Sequence, residues 1–149
     1  TSYSTGHAEG DTRVGGLSGG GTVNAVIINS YSTAAVTTTT SAAKGNGYAG
    51  GLVGLNSTGT IKTSYSTGPV SHANIWGVGG LVGYDHHDNG AFEGNYWDVE
   101  TSGMTTSKGA DPMTTTEMKQ QATYQGWDFD DVWSIDEGKD YPDLRSNPR

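Results

Sequence analysis

Two short motifs, Gly50-Gly51-Leu52-Val53-Gly54 and Ser64-Tyr65-Ser66-Thr67, decide the fold because both recur along the chain. Ser-Tyr-Ser-Thr also occurs at 2–5 and 30–33, Gly-Gly-Leu occurs at 15–17 and 79–81, and Asn-Tyr-Trp-Asp at 95–98 falls in the same register. A repeat of about 30 residues indicates units that cannot bury an apolar face alone and therefore stack on one another. The repetition also argues against disorder, which the low content of large aliphatic residues would otherwise indicate.

Alignment of the copies on their tyrosine predicts columns of like side chains. The columns are Tyr3, Tyr31, Tyr65 and Tyr96; Ile27, Ile61 and Phe92; Ala8, Val36, Val70 and Thr101; and Val14, Ala49 and Val78. Between Ile61 and Tyr65, apolar and polar residues alternate, which is typical of a strand with one buried face. Lys62 then points outward in the column of Glu93, and we expect these two residues to form an ion pair across adjacent coils.

These columns predict an all-β fold, a short β-solenoid with about three coils. Each coil, of 31 residues between Tyr65 and its next equivalent, is expected to hold three strand segments, around Leu52, around 61–65 and around Val70. Coils of this kind stack about 4.8 Å apart, and the twist of strands favours a right-handed path. We assign residues 1–100 to the solenoid and residues 101–149 to a C-terminal capping segment.

The C-terminal segment has a different pattern from the repeats. Thr114-x-x-Glu117 matches a capping box and predicts a short helix that continues to Ala122. Aromatic residues then follow at Trp127, Phe129, Trp133 and Tyr141. We expect this aromatic cluster to cover the open end of the last coil, because a bare terminal coil exposes an apolar surface and unpaired backbone groups.

Composition and charge exclude several classes of protein. Only 22 of the 149 residues are Leu, Ile, Val or Phe, too few to fill a thick two-layer core, and no apolar run has the length of a membrane span. Residues 1–84 carry a net charge of +1 and residues 85–149 carry −9, which disfavours nucleic acid and anionic membranes as partners. Because the chain begins at Thr1 without a signal peptide, we expect a processed product or a piece of a longer protein.

The repeat motifs resemble the GLUG motif of bacterial and archaeal surface proteins. The resemblance rests on Gly-Gly-Leu-Val-Gly at 50–54 and 79–83, Ser-Tyr-Ser-Thr-Gly-x-Val at 64–70, Asn-Tyr-Trp-Asp-x-Glu-Thr-Ser-Gly at 95–103, Gly-Trp-Asp-Phe at 126–129 and Tyr-Pro-x-Leu at 141–144. Relatives of this kind are large secreted adhesins, haemagglutinin-like proteins and non-catalytic parts of surface peptidases. The resemblance therefore implies an extracellular setting and carries over no catalytic residue. The first copy departs from the pattern at Ser18, where Val is usual, and Thr37–Ala43 is an insertion.

A region between two coils is the candidate binding site. Trp76 is suited to stack on a sugar ring if it is exposed on a rigid scaffold, and Tyr84, His86 and His87 follow close behind it. The alternative is that Trp76 folds over the edge of the solenoid. The cluster Asp85-His86-His87-Asp88 carries possible ligands for zinc. Neighbours in sequence rarely all point at one ion, however, so a polar loop is the favoured interpretation.

The remaining polar clusters are interpreted as structural. Asp98 and Glu100 form a carboxylate pair of the type that hydrolyses glycans, but they lie in the segment that follows the repeats, where neighbouring apolar residues pack inward. The acidic residues of 128–137 carry oxygen ligands for calcium without the loop of an EF-hand, which favours an exposed acidic rim. Thr37–Thr40 is interpreted as a flexible or O-glycosylated loop, and 56–58 is a sequon for N-glycosylation.

Two functions from different classes agree with these features. The first is a non-enzymatic extracellular structural module, an adhesin or fibre subunit, that self-associates head to tail or stacks on upstream repeats of the same polypeptide. Thr1, Ser2, Tyr3 and Ser4 begin midway through a repeat, so we expect them at an assembly interface that can build an open filament. The second is a glycan- or protein-binding module of a larger secreted surface protein or enzyme, directed at a glycan or a host surface. Neither function requires a cofactor or a metal.

Overall fold

The computed structural model describes residues 1–39, 47–72 and 76–146 of an all-β chain. In chain order its strands are β1 (Ser2–Ser4), β2 (His7–Gly10), β3 (Arg13–Gly15), β4 (Ser18–Thr22), β5 (Val26–Ile28), β6 (Ser30–Ser32), β7 (Ala35–Thr38), β8 (Tyr48–Gly50), β9 (Val53–Asn56), β10 (Thr60–Lys62), β11 (Tyr65–Ser66), β12 (Val70–Ser71), β13 (Gly77–Gly79), β14 (Val82–Asp85), β15 (Ala91–Glu93), β16 (Tyr96–Asp98), β17 (Asp111–Met113), β18 (Trp133–Ser134) and β19 (Asp143–Leu144). The α-helices α1 (Val99–Ser102) and α2 (Thr115–Met118) are single turns, and 3₁₀ turns lie at His86–Asp88 and Gln121–Thr123.

The strands pair with their equivalents in the next repeat. Of the six sheets in the described ranges, five are parallel, with the orders β1-β6-β11-β16-β17, β12-β7-β2, β13-β8-β3, β14-β9-β4 and β15-β10-β5, and in the sixth β18 pairs with β19 in antiparallel fashion. The sheets are small because each repeat contributes one short strand to each of them. Every strand of the first repeat, β1 to β5, therefore lies at an edge of its sheet.

The register is the one that the tyrosine alignment predicts. Tyr31 pairs with Tyr3 and Tyr65, Tyr65 with Tyr96, Ile61 with Ile27 and Phe92, Val36 with Ala8 and Val70, and Ala49 with Val14 and Val78. Thr101 departs from its predicted column because the chain turns into α1 there. The ion pair between Lys62 and Glu93 is present at 2.5 Å, and it lowers the pKa of the Glu93 carboxyl.

Each repeat has five short strands, not the three that the sequence predicts. Thr63, with a φ of +45°, divides the predicted strand into β10 and β11 and turns the chain. As a result Ile61 packs in the interior with Leu52 and Leu81, whereas Tyr65 packs with C-terminal residues in a separate cluster. The expectation that Ile61 and Tyr65 share one face of one strand is therefore wrong.

The interior between the sheets is narrow because glycine, which has no side chain, lets backbone segments and rings approach closely. A Cβ atom on Gly50 would lie 2.0 Å from the carbonyl oxygen of Val53, and one on Gly80 would lie 1.8 Å from Cδ1 of Trp97. No side chain fits at such distances, so the backbone and the Trp97 ring occupy that space. A few apolar side chains then suffice to fill the core, which explains how a chain so poor in aliphatic residues folds.

The capping box at the start of α2 is confirmed. The Thr114 hydroxyl accepts a hydrogen bond from the backbone N–H of Glu117, and the Glu117 carboxylate accepts one from the backbone N–H of Thr114. The bond from the Thr114 N–H, followed by one from the Thr114 hydroxyl to the same carboxylate, lowers the pKa of the Glu117 carboxyl. The helix ends at Met118 rather than at Ala122, and the chain continues into the 3₁₀ turn at Gln121–Thr123.

The aromatic C-terminal residues pack along the side of the tyrosine column, not over the end of the last coil. The ring centroid of Trp133 lies 6.2 Å from that of Tyr31 and 6.0 Å from that of Tyr65. The centroid of Trp127 lies 6.0 Å from that of Tyr96. The aromatic cluster thus covers three successive repeats, and its predicted placement at the end is wrong.

A different stretch, residues 104–113, covers that end, and we call it the closing segment. Its strand β17 pairs with β16, and Lys108 forms a bridge to Val82 at the edge of β14. Met104 and Ala110 pack against the two apolar clusters of the interior. Residues that directly follow the last repeat thus pair with β16, bridge to β14 and cover part of the apolar surface, while β12, β13 and β15 remain edge strands within the described ranges.

Candidate functional site

An open cleft beside Trp76 is the candidate binding site. Trp76 is 75% exposed and lines, together with Tyr84 and Lys108, a cleft with a volume of about 350 Å³. The other lining residues are Gly77, Val78, Gly83, Thr106 and Ser107. Trp76 directly precedes β13, Tyr84 lies in β14, and Lys108 lies in the closing segment. Two neighbouring strands and the closing segment thus bring the three side chains together.

A second aromatic ring supports Tyr84. The rings of Tyr48 and Tyr84 stack with their centroids 4.7 Å apart and their planes at 14°. The His86 ring meets Tyr84 edge-on at 6.4 Å and lies 3.8 Å from the His87 ring. Of the four predicted binding residues, Trp76 and Tyr84 therefore line the cleft, whereas His86 and His87 lie next to it.

The charge of the cleft is balanced. Lys108 Nζ lies 2.9 Å from a carboxylate oxygen of Asp88, and this hydrogen bond raises the pKa of the Lys108 ammonium. The neighbouring Asp85 is buried and accepts hydrogen bonds from Asn56 Nδ2 at 2.8 Å and from the backbone N–H of Gly90 at 3.0 Å. Throughout the described ranges, no three His, Cys, Asp or Glu residues are placed to hold a metal ion.

Asn56 of the predicted sequon is buried. Its Nδ2 atom donates to the carbonyl oxygen of Gly59 at 3.2 Å as well as to Asp85, and its Oδ1 atom accepts from the Gly59 backbone N–H at 3.0 Å. Glycosylation needs a free Nδ2 atom, so the folded repeat does not offer this asparagine for modification. The same two contacts with Gly59 close a bend over residues 56–59.

Asp98 is a structural carboxylate. It is fully buried and accepts hydrogen bonds from the backbone N–H groups of Glu100 and Thr101 and from the hydroxyls of Thr115 and Tyr141. Burial, followed by the bond to Asp98, raises the pKa of the Tyr141 phenol to about 12. Glu100 is exposed and accepts from the Thr115 N–H. Both carboxylates thus accept hydrogen bonds from Thr115, and they hold the first residue of α2 in place.

The acidic C-terminal residues form local contacts with backbone N–H groups or with a lysine. Asp128 accepts from the backbone N–H groups of Asp130 and Asp131 at 3.0 and 2.8 Å, and Asp136 pairs with Lys139 at 3.0 Å. All five acidic residues of this stretch are exposed: Asp128, Asp130, Asp131, Asp136 and Glu137.

The threonine run and the insertion are only partly described. Thr37 and Thr38 belong to β7, and Thr38 is buried. They therefore form part of a paired strand rather than a loop. Residues 40–46, which hold the rest of the predicted loop, lie outside the described residues.

The predicted assembly residues lie at the open end of the first repeat. Ser2, Tyr3 and Ser4 form β1, which within the described ranges pairs on its β6 side alone, and Thr1 precedes it. The Tyr3 ring, 36% exposed, stacks on Tyr31 with centroids 5.2 Å apart. The exposed large apolar residues of the described ranges are Tyr3, Val23, Val26, Ile28 and Trp76. All but one of these belong to the first repeat.

Two residues of this region were not predicted from the sequence: Lys108, which lines the cleft, and Tyr48, whose ring stacks on that of Tyr84. Tyr48 was available as a candidate, since it precedes the Ala49-Gly50 pair that the repeat alignment marks. Lys108 gave no such signal, because the closing segment lies outside the repeats and only its folding back brings it to Tyr84.

Part of the chain matches a known family model and a known protein. Residues 45–71 match the family model of the GLUG motif, which confirms the resemblance for that stretch. A protein named "Putative Gly-rich membrane protein" from Evansella cellulosilytica is 37% identical over 100 residues, and the match covers 64% of this chain and 12% of that protein. No solved structure matches the chain. The two matches indicate a surface-associated module, and the GLUG motif is not an enzyme family.

No helix within the described ranges is both long enough and apolar enough to cross a membrane.

Proposed function

We propose that this chain is a non-enzymatic, extracellular structural module, a short right-handed β-solenoid at one end of a longer array of repeats in an adhesin-like surface protein. In this proposal residues 1–100 form the solenoid and residues 101–149 close and clamp it. The observation that carries the proposal is the difference between the two ends. At the last repeat, the closing segment pairs with β16, bridges to β14 and packs against the two interior apolar clusters, whereas no strand of the described ranges pairs with the outer side of β1 to β5.

A ladder of side chains supports the direction in which repeats are added. The backbone N–H of Ser2 donates to Ser30 Oγ at 3.1 Å, that of Ser30 donates to Ser64 Oγ at 3.2 Å, and that of Ser64 donates to Asn95 Oδ1 at 3.1 Å. Each coil thus offers an acceptor to the coil before it. At the start of the ladder, Ser2 Oγ receives no backbone N–H from any residue of the described ranges. A preceding coil would supply that N–H.

The occupant of the open end is another coil of the same repeat. An upstream part of the same polypeptide supplies it most directly, since the register, the glycines and the serine ladder already match. A second copy of this chain would have to present its closed end, where the closing segment stands in place of a repeat. The relative from Evansella cellulosilytica, of which the match spans 12%, agrees with a repeat stretch inside a longer protein.

One added coil tests the proposal. A copy of residues 29–62 placed before Thr1 continues the register, because Thr1-Ser2-Tyr3 corresponds to Thr63-Ser64-Tyr65. We expect the extended chain to unfold in one transition at a higher temperature. Ser2→Ala should change the free energy of unfolding of the original chain by less than about 0.5 kcal/mol. In the extended chain the same change should cost about 1–2 kcal/mol, since it leaves a buried N–H without its acceptor.

The matched control is the extended chain with the copied Ile61 changed to Asp, which should lose the added stability. An extension that stays unfolded beside an intact original chain would contradict the proposal. Analytical ultracentrifugation and electron microscopy of the original chain distinguish the source of the coil. A monomer that is stabilised only by the covalent extension supports upstream repeats, whereas filaments of the original chain would show that a second copy takes the place of the upstream coil.

A further inference from the structure

We propose that the cleft between Trp76, Tyr84 and Lys108 binds a neutral polysaccharide, with one pyranose ring stacked on the Trp76 indole. This inference goes beyond the structural function and does not depend on it. The binding site would turn a scaffold into a module that holds a glycan surface.

The exposure of Trp76 is the first observation. Trp76 is 75% exposed, whereas the other three tryptophans are each at most 7% exposed: Trp97, Trp127 and Trp133. An indole buries a large apolar area when it is covered, so an uncovered one beside a cleft is suited to a ligand. Gly77, which follows directly, adds no side chain that would shield the ring.

The second observation is a rigid aromatic wall. Tyr84 lies in β14, where it pairs with Leu55 of β9, and its ring stacks on that of Tyr48 of β8 with the centroids 4.7 Å apart. The wall therefore does not need to be ordered when a ligand arrives, which lowers the entropic cost of binding. The cleft volume of about 350 Å³ lies at the lower end of the range for small-molecule sites, about 300–1,000 Å³. A site of this size suits one or two sugar rings of a longer chain.

Charge selects a neutral ligand. Lys108 is the cation that lines the cleft, and Asp88 already neutralises it at 2.9 Å. An ammonium has three N–H donors, so Lys108 keeps donors for sugar hydroxyls while the pair carries no net charge. Among the described residues that line the cleft, none carries a carboxylate. The arrangement therefore supports binding rather than glycoside hydrolysis, which requires a pair of carboxylates.

Tryptophan fluorescence provides the test, because Trp76 is the exposed tryptophan. The probes are cellohexaose and chitohexaose, whose all-equatorial pyranose rings present flat C–H faces to an aromatic ring. We expect millimolar or tighter binding of at least one probe, with a change in the emission of Trp76. Trp76→Ala should lower the association constant at least tenfold, measured by calorimetry, and Trp76→Phe should retain part of the binding without the emission change.

Val26→Ala is the matched control, since Val26 is an exposed apolar residue outside the cleft, and it should bind like the original chain. Circular dichroism checks that each variant is folded. Binding that survives Trp76→Ala would overturn the proposal, as would an absence of binding to both probes at millimolar concentration. Burial of Trp76 by self-association as the protein is concentrated would also overturn it, by assigning the ring to a protein interface. None of these outcomes affects the test of the added coil.

Discussion

The Tyr31 hydroxyl donates a 2.7 Å hydrogen bond to the carboxylate of Asp143, which lies 112 residues further along the chain. One repeat later, the Tyr65 hydroxyl donates to the carbonyl oxygen of Pro142, the residue before Asp143. The end of the chain therefore binds two successive repeats at once, on their outer side. It clamps the stack along its length, while the closing segment covers its end.

Because the C-terminal residues clamp successive repeats, truncation of the Trp133 side chain should strongly lower the stability of the chain. Its ring is fully buried and contacts Tyr31, Tyr65 and Trp127. Trp133→Ala should cost about 3–5 kcal/mol of the free energy of unfolding, measured by urea denaturation. Limited proteolysis should then cut the released tail first. Trp76→Ala, at an exposed ring, should stay within about 0.5 kcal/mol, and equal stability of the two variants would contradict the clamp.

Close packing predicts a second effect, at Gly80. Its missing Cβ would lie 1.8 Å from Trp97 Cδ1, and Trp97 is itself buried in the core. Gly80→Ala should therefore cost about 3 kcal/mol, at the upper end of the range for overpacking. The control is Gly21→Ala, where nothing lies within 4 Å and only the φ of +78° opposes the change; this should cost about 1–2 kcal/mol. Thermal unfolding of both variants makes the comparison.

Sequence reasoning was sufficient where the repeats carry the information. The spacing of the tyrosines gives the pairing of Tyr31 with Tyr65 directly, because like residues in stacked repeats must meet. It was insufficient where one residue changes the direction of the chain. Thr63 has a positive φ, which is uncommon for a β-branched residue and which alternation of polar and apolar residues does not reveal.

The sequence predicts which local structures the C-terminal residues form, but not which surface of the repeats they cover. Thr114 and Glu117 showed the capping box because that signal is local. The partners of Trp133 are not local, and an aromatic cluster contains no information on which apolar surface it covers. The cleft was half predicted for the same reason. Trp76 and Tyr84 are close in sequence, whereas Lys108 reaches them only through the fold.

A buried amide–carboxylate pair predicts a pH-dependent variant. Asn56 Nδ2 lies 2.8 Å from Asp85 Oδ1, and both residues are buried. Asn56→Asp places two carboxylates in contact, which should cost about 3 kcal/mol at pH 7. Two like charges raise the pKa of one carboxyl, so the deficit should shrink as the pH falls to about 4. Asn56→Asp combined with Asp85→Asn restores one amide and one carboxylate and should recover most of the stability; a double variant as unstable as the single one would contradict this account.

Buried phenols predict unfolding in alkaline solution. Burial raises the pKa of Tyr124 strongly and that of Tyr141 to about 12, whereas phenols of an unfolded chain titrate near about 10. Above that pH the unfolded chain binds fewer protons than the folded chain, so the free energy of unfolding falls as the pH rises. Urea midpoints should therefore decrease between about pH 10 and 12, together with a rise in tyrosinate absorbance. Tyr124→Phe removes one such group and a hydrogen bond to the Met118 carbonyl, so it should be less stable by about 1 kcal/mol at pH 7 and lose stability less steeply above about pH 10. An equally steep loss in this variant would show that Tyr124 does not carry the alkaline transition.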